Sequence, residues 1–135
     1  MNSLNKNSFL NKKNLKKNLV IFKTNTIRDA IIKLNKSAAQ IVIVLDKNKK
    51  YIGTITDGDI RRGLLKGKNM STKVSEIVVK NSLTALEETN RDAALKIMNE
   101  NNISHLPIVN NNRILQGVHF QDKLFSINKN RKKES

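Results

Sequence analysis

The segment YIGTITDGDIRRGLL, Tyr51 to Leu65, holds the side chains of this sequence best suited to chemistry. A β-branched run gives way to Thr56-Asp57-Gly58-Asp59 and then to Ile60-Arg61-Arg62, so a hydroxyl, two carboxylates, a glycine and two guanidinium groups crowd one turn. A strand that turns sharply into a helix aims unpaired backbone N–H groups, and the positive end of the helix dipole, at the turn, which suits a phosphate. Thr56 can donate its hydroxyl to a phosphate oxygen, and Gly58 permits close backbone approach. Asp59, acceptor-only when ionised, matches the two donors of a ribose diol. Consecutive helical residues point about 100° apart, so only one of Arg61 and Arg62 is expected to reach that phosphate, and Arg61 is the candidate.

Three other readings compete for the same residues. Asp57 can cap a helix while Asp59 adds a favourable charge to its first turn, and Asp57 is assigned to capping. A calcium loop of the EF-hand type needs a closing Glu at its twelfth position, which Lys68 occupies when Asp57 is the first. A carboxylate pair for acid/base catalysis lacks a nucleophile or histidine nearby in sequence. Two histidines and no cysteines give no convincing zinc set, and no metal is expected.

The elements that must position this turn emerge from an internal repeat. Gly53, closing DKNKKYIG, and Gly117, closing NNNRILQG, lie 64 residues apart, and the same offset aligns Asp46 with Asn110, Ala30 with Ala94, and Leu34 with Met98. Each copy reads as an extended lead-in, helix, strand, turn, strand and helix. Ile27, Ala30, Ile31 and Leu34 fall on one helical face behind Thr26 as N-cap, and Ala94, Leu95 and Met98 do so behind Asn90. The runs IVIVL and HLPIV read as strands buried on both sides, joined by Asn-rich polar turns to YIGTIT and LQGVHF. Closing helices are expected over DIRRGLLKG and QDKLFSI. Pro107, the single proline, argues that its strand lies at a sheet edge. The divisions are a basic, disordered tail over 1–18, a first repeat over 19–66, a connection over 67–81, a second repeat over 82–127 and a basic tail over 128–135. One unit alone is too small to bury its apolar faces, so a pseudo-twofold α/β (α+β) pair with a cleft between the halves is expected.

Composition limits the function. At 135 residues the chain suits one ordinary domain or two small units sharing a core. It has no apolar run of the about 18 residues a membrane span needs and no apolar secretory signal, so a cytoplasmic protein is expected. The absence of cysteine agrees with a reducing compartment. A net charge of +15 would suit a polyanion, but much of it sits in the two Lys- and Asn-rich tails. With one Tyr, four Phe and no Trp, stacking platforms for nucleic acid are scarce.

The doubled unit, with HLPIV and the ending Gly53-Thr54-Ile55-Thr56-Asp57-Gly58-Asp59, resembles a tandem pair of CBS domains, or Bateman module, across about residues 19 to 127. GTITDGDIRRGLLKG is similar to the regulatory CBS pair of some bacterial sugar-phosphate nucleotidyltransferases, and to the pair appended to sugar-phosphate isomerases. The resemblance implies a non-catalytic module that binds an adenosine nucleotide (AMP, ADP or ATP) between its repeats, requires no cofactor, forms a homodimer through its helices and regulates an attached or partner enzyme. It assigns phosphate to Thr56 and ribose to Asp59. It lines adenine slots with Ile41, Val42 and Ile43 in the first copy and Leu106, Pro107 and Ile108 in the second, residues that serve equally as core. A hydroxyl from the lead-in, Thr24 or Thr26, joins the first site. In the second copy, His119 matches Thr56 and Asp122 matches Asp59 after a single deletion. His105 either lines the cleft or packs at a strand start, with packing favoured. A basic nucleic-acid-binding protein and a ligand-free structural dimerisation module stand as the alternatives.

Overall fold

Ile27, Ala30 and Leu34 recur at helical spacing, and in the computed structural model, which describes residues 10–11, 19–37, 39–80 and 83–121, they form the buried face of helix α1 (Ile27–Lys36). The chain divides into two compact units, Lys16–Ser82 and Met1–Leu15 with Leu83–Ser135. The first strand, β1 (Leu10–Asn11), belongs to the second of these.

In the unit Lys16–Ser82, β2 (Val20–Phe22) runs parallel to β3 (Val42–Leu45), which pairs antiparallel with β4 (Tyr51–Ile55) ahead of helix α2 (Asp57–Leu65). All four residues of β3 are buried, as expected of a central strand covered on both faces. Ile21, Ile27, Ala30, Leu34, Val42, Val44, Ile55, Ile60 and Val74 make one apolar core. Thr26 caps α1: its Oγ1 accepts from the Asp29 amide (3.2 Å), and Asp29 Oδ2 accepts from the Thr26 amide (2.9 Å). That amide bond holds the Asp29 carboxyl below its usual range, with bonds from Asn25 and the Thr26 side chain acting the same way against partial desolvation.

Of the connection expected over 67–81, the described part, 67–80, packs on this unit. Helix α2 ends in a Schellman turn, Gly67 taking φ 101° while the Lys68 amide donates to the Gly63 carbonyl (3.0 Å). The chain then returns along α1, the Ile27 and Arg28 amides donating to the Thr72 and Met70 carbonyls, and Val74 begins a short 3-10 turn (Val74–Glu76) fully buried. Val79 bridges antiparallel to Thr54 on β4. Two glycines permit this approach: a Cβ on Gly53 would lie 2.1 Å from the Val79 carbonyl oxygen, and one on Gly63 would lie 2.8 Å from Ile77 Cγ2.

The other unit repeats the pattern with β5 (Ala85–Leu86), helix α3 (Arg91–Glu100), β6 (His105–Val109) and β7 (Leu115–Phe120), its sheet ordered β1-β7-β6-β5. The 64-residue offset survives in detail. Val44 faces Gly53 as Ile108 faces Gly117, and both ladders carry an irregularity immediately after those pairs. Asp46 Oδ1 accepts from the Asn48 and Lys50 amides, Asn110 Oδ1 from those of Asn112 and Ile114, and Lys49 (φ 67°) and Arg113 (φ 65°) take the left-handed position of each turn.

Two expectations fail here. Leu10 and Asn11, read as tail, pair antiparallel with Val118 and Gly117. Strand β6 lies inside its sheet, not at an edge, although β5 pairs only with Ile108 and Val109, so on that side Pro107 forgoes no ladder hydrogen bond. The closing helix expected over QDKLFSI and the tail expected over 128–135 lie outside the described residues.

Gly53→Ala sets a methyl against the Val79 carbonyl oxygen, which the Thr54 amide holds in place, so chemical denaturation should register a loss of about 3 kcal/mol; a loss within error would refute the close approach. Asp29 has a depressed folded pKa, so its stabilisation is complete above the unfolded value and lost as pH falls through the folded one. The stability gap between the parent and Asp29→Asn should therefore hold steady from neutrality to about pH 5 and close below about pH 4. Thermal melts across that range check this, and a gap independent of pH would count against it.

Candidate functional site

The candidate site is the turn from β4 into α2, and its side chains are bonded chiefly to one another. Thr56, not Asp57, is the N-cap: Thr56 Oγ1 accepts from the Asp59 amide (3.4 Å) and donates to Asp59 Oδ2 (3.0 Å), while the Thr56 amide donates to the same oxygen (2.9 Å). The capping assigned to Asp57 fails because a cap needs extended backbone, which Thr56 has, whereas Asp57 is already the first helical residue. Arg62 Nη2 donates to Asp59 Oδ1 at 2.6 Å. Asp59 and Arg62 stand three apart on α2, a spacing that brings side chains together on a helix. The cation turned toward this turn is thus Arg62, where the sequence reading had chosen Arg61, which lies exposed on the next helical bearing.

Beside this network lies a hollow of about 260 Å³. Asp59, Arg62, Gly63 and Lys66 line it from α2 and its C-cap; Lys68, Glu76, Ile77, Val78 and Val79 line it from the connection. Gly53 and Gly63 shape it indirectly, since side chains there would displace the connection that forms one wall. Lys68 pairs with Glu76 (3.0 Å) and Arg62 with Asp59, while Lys66 has no carboxylate within ion-pair distance among the described residues. The hollow therefore joins a partly covered carboxylate and an excess of positive charge to an apolar wall, a set suited to a polar, anionic ligand with an apolar face. Apart from Asp59, none of these lining residues is chosen from sequence as a nucleotide contact, Arg62 being weighed there against Arg61 and passed over. The three-residue spacing of Asp59 and Arg62 was the legible signal for one of them.

The remaining candidates lie elsewhere. Thr26 spends its hydroxyl on the α1 cap, and Thr24 is exposed on the lead-in. Ile41, Val42 and Ile43 are at most 2% exposed, and Leu106, Pro107 and Ile108 are buried in the second unit. His105 begins β6 half-buried, and burial pushes its imidazole below the usual histidine value, which favours the neutral ring. The match of His119 to Thr56 fails on register: His119 faces Leu106 as Ile55 faces Val42, so it holds the Ile55 position, fully buried, with no deletion. By the same register Phe120 stands where Thr56 does, without a hydroxyl. Asp122 lies outside the described residues. Among the described residues no group of three acidic or histidine side chains is placed to hold a metal, and no helix is long and apolar enough to cross a membrane.

Comparison with known proteins places this arrangement. The CBS domain profile matches twice, over residues 14–66 and 74–118. The arabinose 5-phosphate isomerase GutQ of Salmonella typhi is 31% identical over 90 residues, covering 66% of this chain but 28% of the isomerase, so the chain spans just over a quarter of that relative. The crystal structure of CBSX2 in complex with AMP superposes with a TM-score of 0.73 at 20% identity, over 89% of this chain and 91% of that one. The CBS domain pair of protein MJ0100, in complex with 5′-methylthioadenosine and S-adenosyl-L-methionine, gives 0.67 at 25% identity over 82% and 86%. With one profile matched by both halves, and the same order of strand, helix, strand and strand within each, the chain belongs to the CBS domain family as a tandem pair.

Proposed function

We propose that this CBS pair is a non-catalytic regulatory module that binds an adenosine nucleotide at the β4–α2 turn of its first repeat. The observation that carries the reading is Asp59, an acceptor-only carboxylate held at a helix N-terminus beside a hollow with Arg62 and Lys66 on its rim. A ribose diol supplies two donors to such a carboxylate, and a phosphate meets the helix N-terminus and the rim cations. Ile77, Val78 and Val79 offer an apolar wall to a base. The adenosine compounds bound by the MJ0100 pair support the same ligand class. The first repeat is the stronger site, because the register of the second puts Phe120 in the place of Thr56.

The controlled protein, on this reading, is a cytoplasmic sugar-phosphate enzyme, attached or separate. The likeness to GutQ favours an isomerase over the nucleotidyltransferase that the sequence also suggested. Homodimerisation belongs to the same proposal, and Leu65, 81% exposed at the end of α2, supplies apolar surface for it. Regulation requires that the nucleotide bind one arrangement of the protein better than another.

A thermal-shift titration tests the ligand. AMP at about 100 times its dissociation constant should add about 2.7 kcal/mol of stability to the parent. Asp59→Asn should lose that increment, and it should also lower the ligand-free baseline by about 1 kcal/mol because it weakens the α2 cap. The readout is accordingly the ligand-induced rise in each variant. No rise in the parent with AMP, ADP or ATP would leave a structural dimerisation module as the better reading. A response to polynucleotide that falls steeply with salt would instead favour a nucleic-acid-binding protein.

A further inference from the structure

We propose that Arg62 is a latch on Asp59 that makes the β4–α2 site select phosphorylated adenosine ligands over adenosine itself, an inference that rests on the nucleotide reading above. The two oxygens of Asp59 are not equivalent. Oδ2 accepts from both the Thr56 amide and its hydroxyl and is committed to the cap, whereas Oδ1 accepts from Arg62. With Oδ2 filled, the two donors of a ribose diol both need Oδ1, where the guanidinium already holds a place.

The covering group is exposed and the covered one is not. The Arg62 side chain is 64% exposed and the Asp59 side chain 11%. The guanidinium lies across Gly58, where a Cβ would stand 3.3 Å from Nη1 and 3.4 Å from Nη2, so the missing side chain at 58 leaves room for it to lie there. Arg62 can swing away without disturbing α2, because its bond to Asp59 is side chain to side chain.

Adenosine and its phosphates meet different costs. Adenosine displaces the guanidinium and gives it nothing in return, so a charge-assisted bond is lost to water. A phosphate on the same ribose lies within one arginine side chain of Asp59, and it takes up the released guanidinium in the paired, planar geometry that arginine favours. Lys66 attracts any anion but has no bond to Asp59 to break, so it adds affinity without the latch.

Removing the latch should move the two ligands in opposite directions, which a plain phosphate contact would not do. Calorimetric titration of the full chain with AMP and with adenosine, for the parent, Arg62→Ala and Arg62→Lys, reads this directly. Arg62→Ala should bind AMP more weakly and adenosine about threefold to tenfold more tightly, so that the parent's preference for AMP narrows by about tenfold or more. Arg62→Lys, keeping charge without the planar fork, should fall between. Far-ultraviolet circular dichroism of this exposed-site variant should match the parent. If AMP binds the parent but adenosine gains nothing in Arg62→Ala, the latch is wrong and the nucleotide site stands. If neither ligand binds the parent, the nucleotide reading fails and takes the latch with it.

Discussion

A single carboxylate is asked to satisfy three donors. Asp59 accepts from the Thr56 amide, the Thr56 hydroxyl and Arg62, which ties the end of β4 to the start of α2 and ties α2 to the rim of the hollow. An ionised carboxylate has only about four lone-pair sites, so a diol that brings two donors to Asp59 must share or replace one of these three partners. On the proposed reading, capping and ligand recognition would draw on the same atoms at this turn. The sequence reading set the two in opposition, assigning the cap to Asp57 and the ligand to Thr56 and Asp59. In the structure Thr56 and Asp59 form the cap themselves.

The hollow depends equally on a backbone contact remote from any charge. Val79 can bridge to Thr54, and Ile77 can pack on α2, only because positions 53 and 63 lack side chains. That places the connection as a wall of the site and welds it to the first repeat's core through Val74. On the proposed reading, a nucleotide resting on Val78 and Val79 would touch the segment that leads toward the second repeat.

Much of the fold was legible because apolar periodicity and turn chemistry point the same way. Ile27, Ala30 and Leu34 announced α1, Thr26 and Asn90 announced their helices, and Asp46 with Asn110 announced matched turns whose side-chain carbonyl or carboxylate bonds two later amides. The failures have physical causes. Pro107 misled because the edge rule assumes a neighbour along the whole strand, and β5 is only two residues long. His119 misled because a sequence gap can be placed freely, whereas a ladder fixes which residue faces Leu106. The hollow could not be read at all, since Lys66, Lys68 and Val79 come together only when the connection folds back on α2.

Amide and arginine side-chain chemical shifts, followed by heteronuclear NMR as AMP is added, address the central claim most directly. The account predicts saturable changes centred on the amides of Thr56, Gly58 and Asp59, with the Nε of Arg62 moving at the same ligand concentration and Val78 and Val79 following. Saturable changes confined to other parts of the chain, with the signals of Thr56 to Asp59 and of Arg62 unmoved, would contradict it.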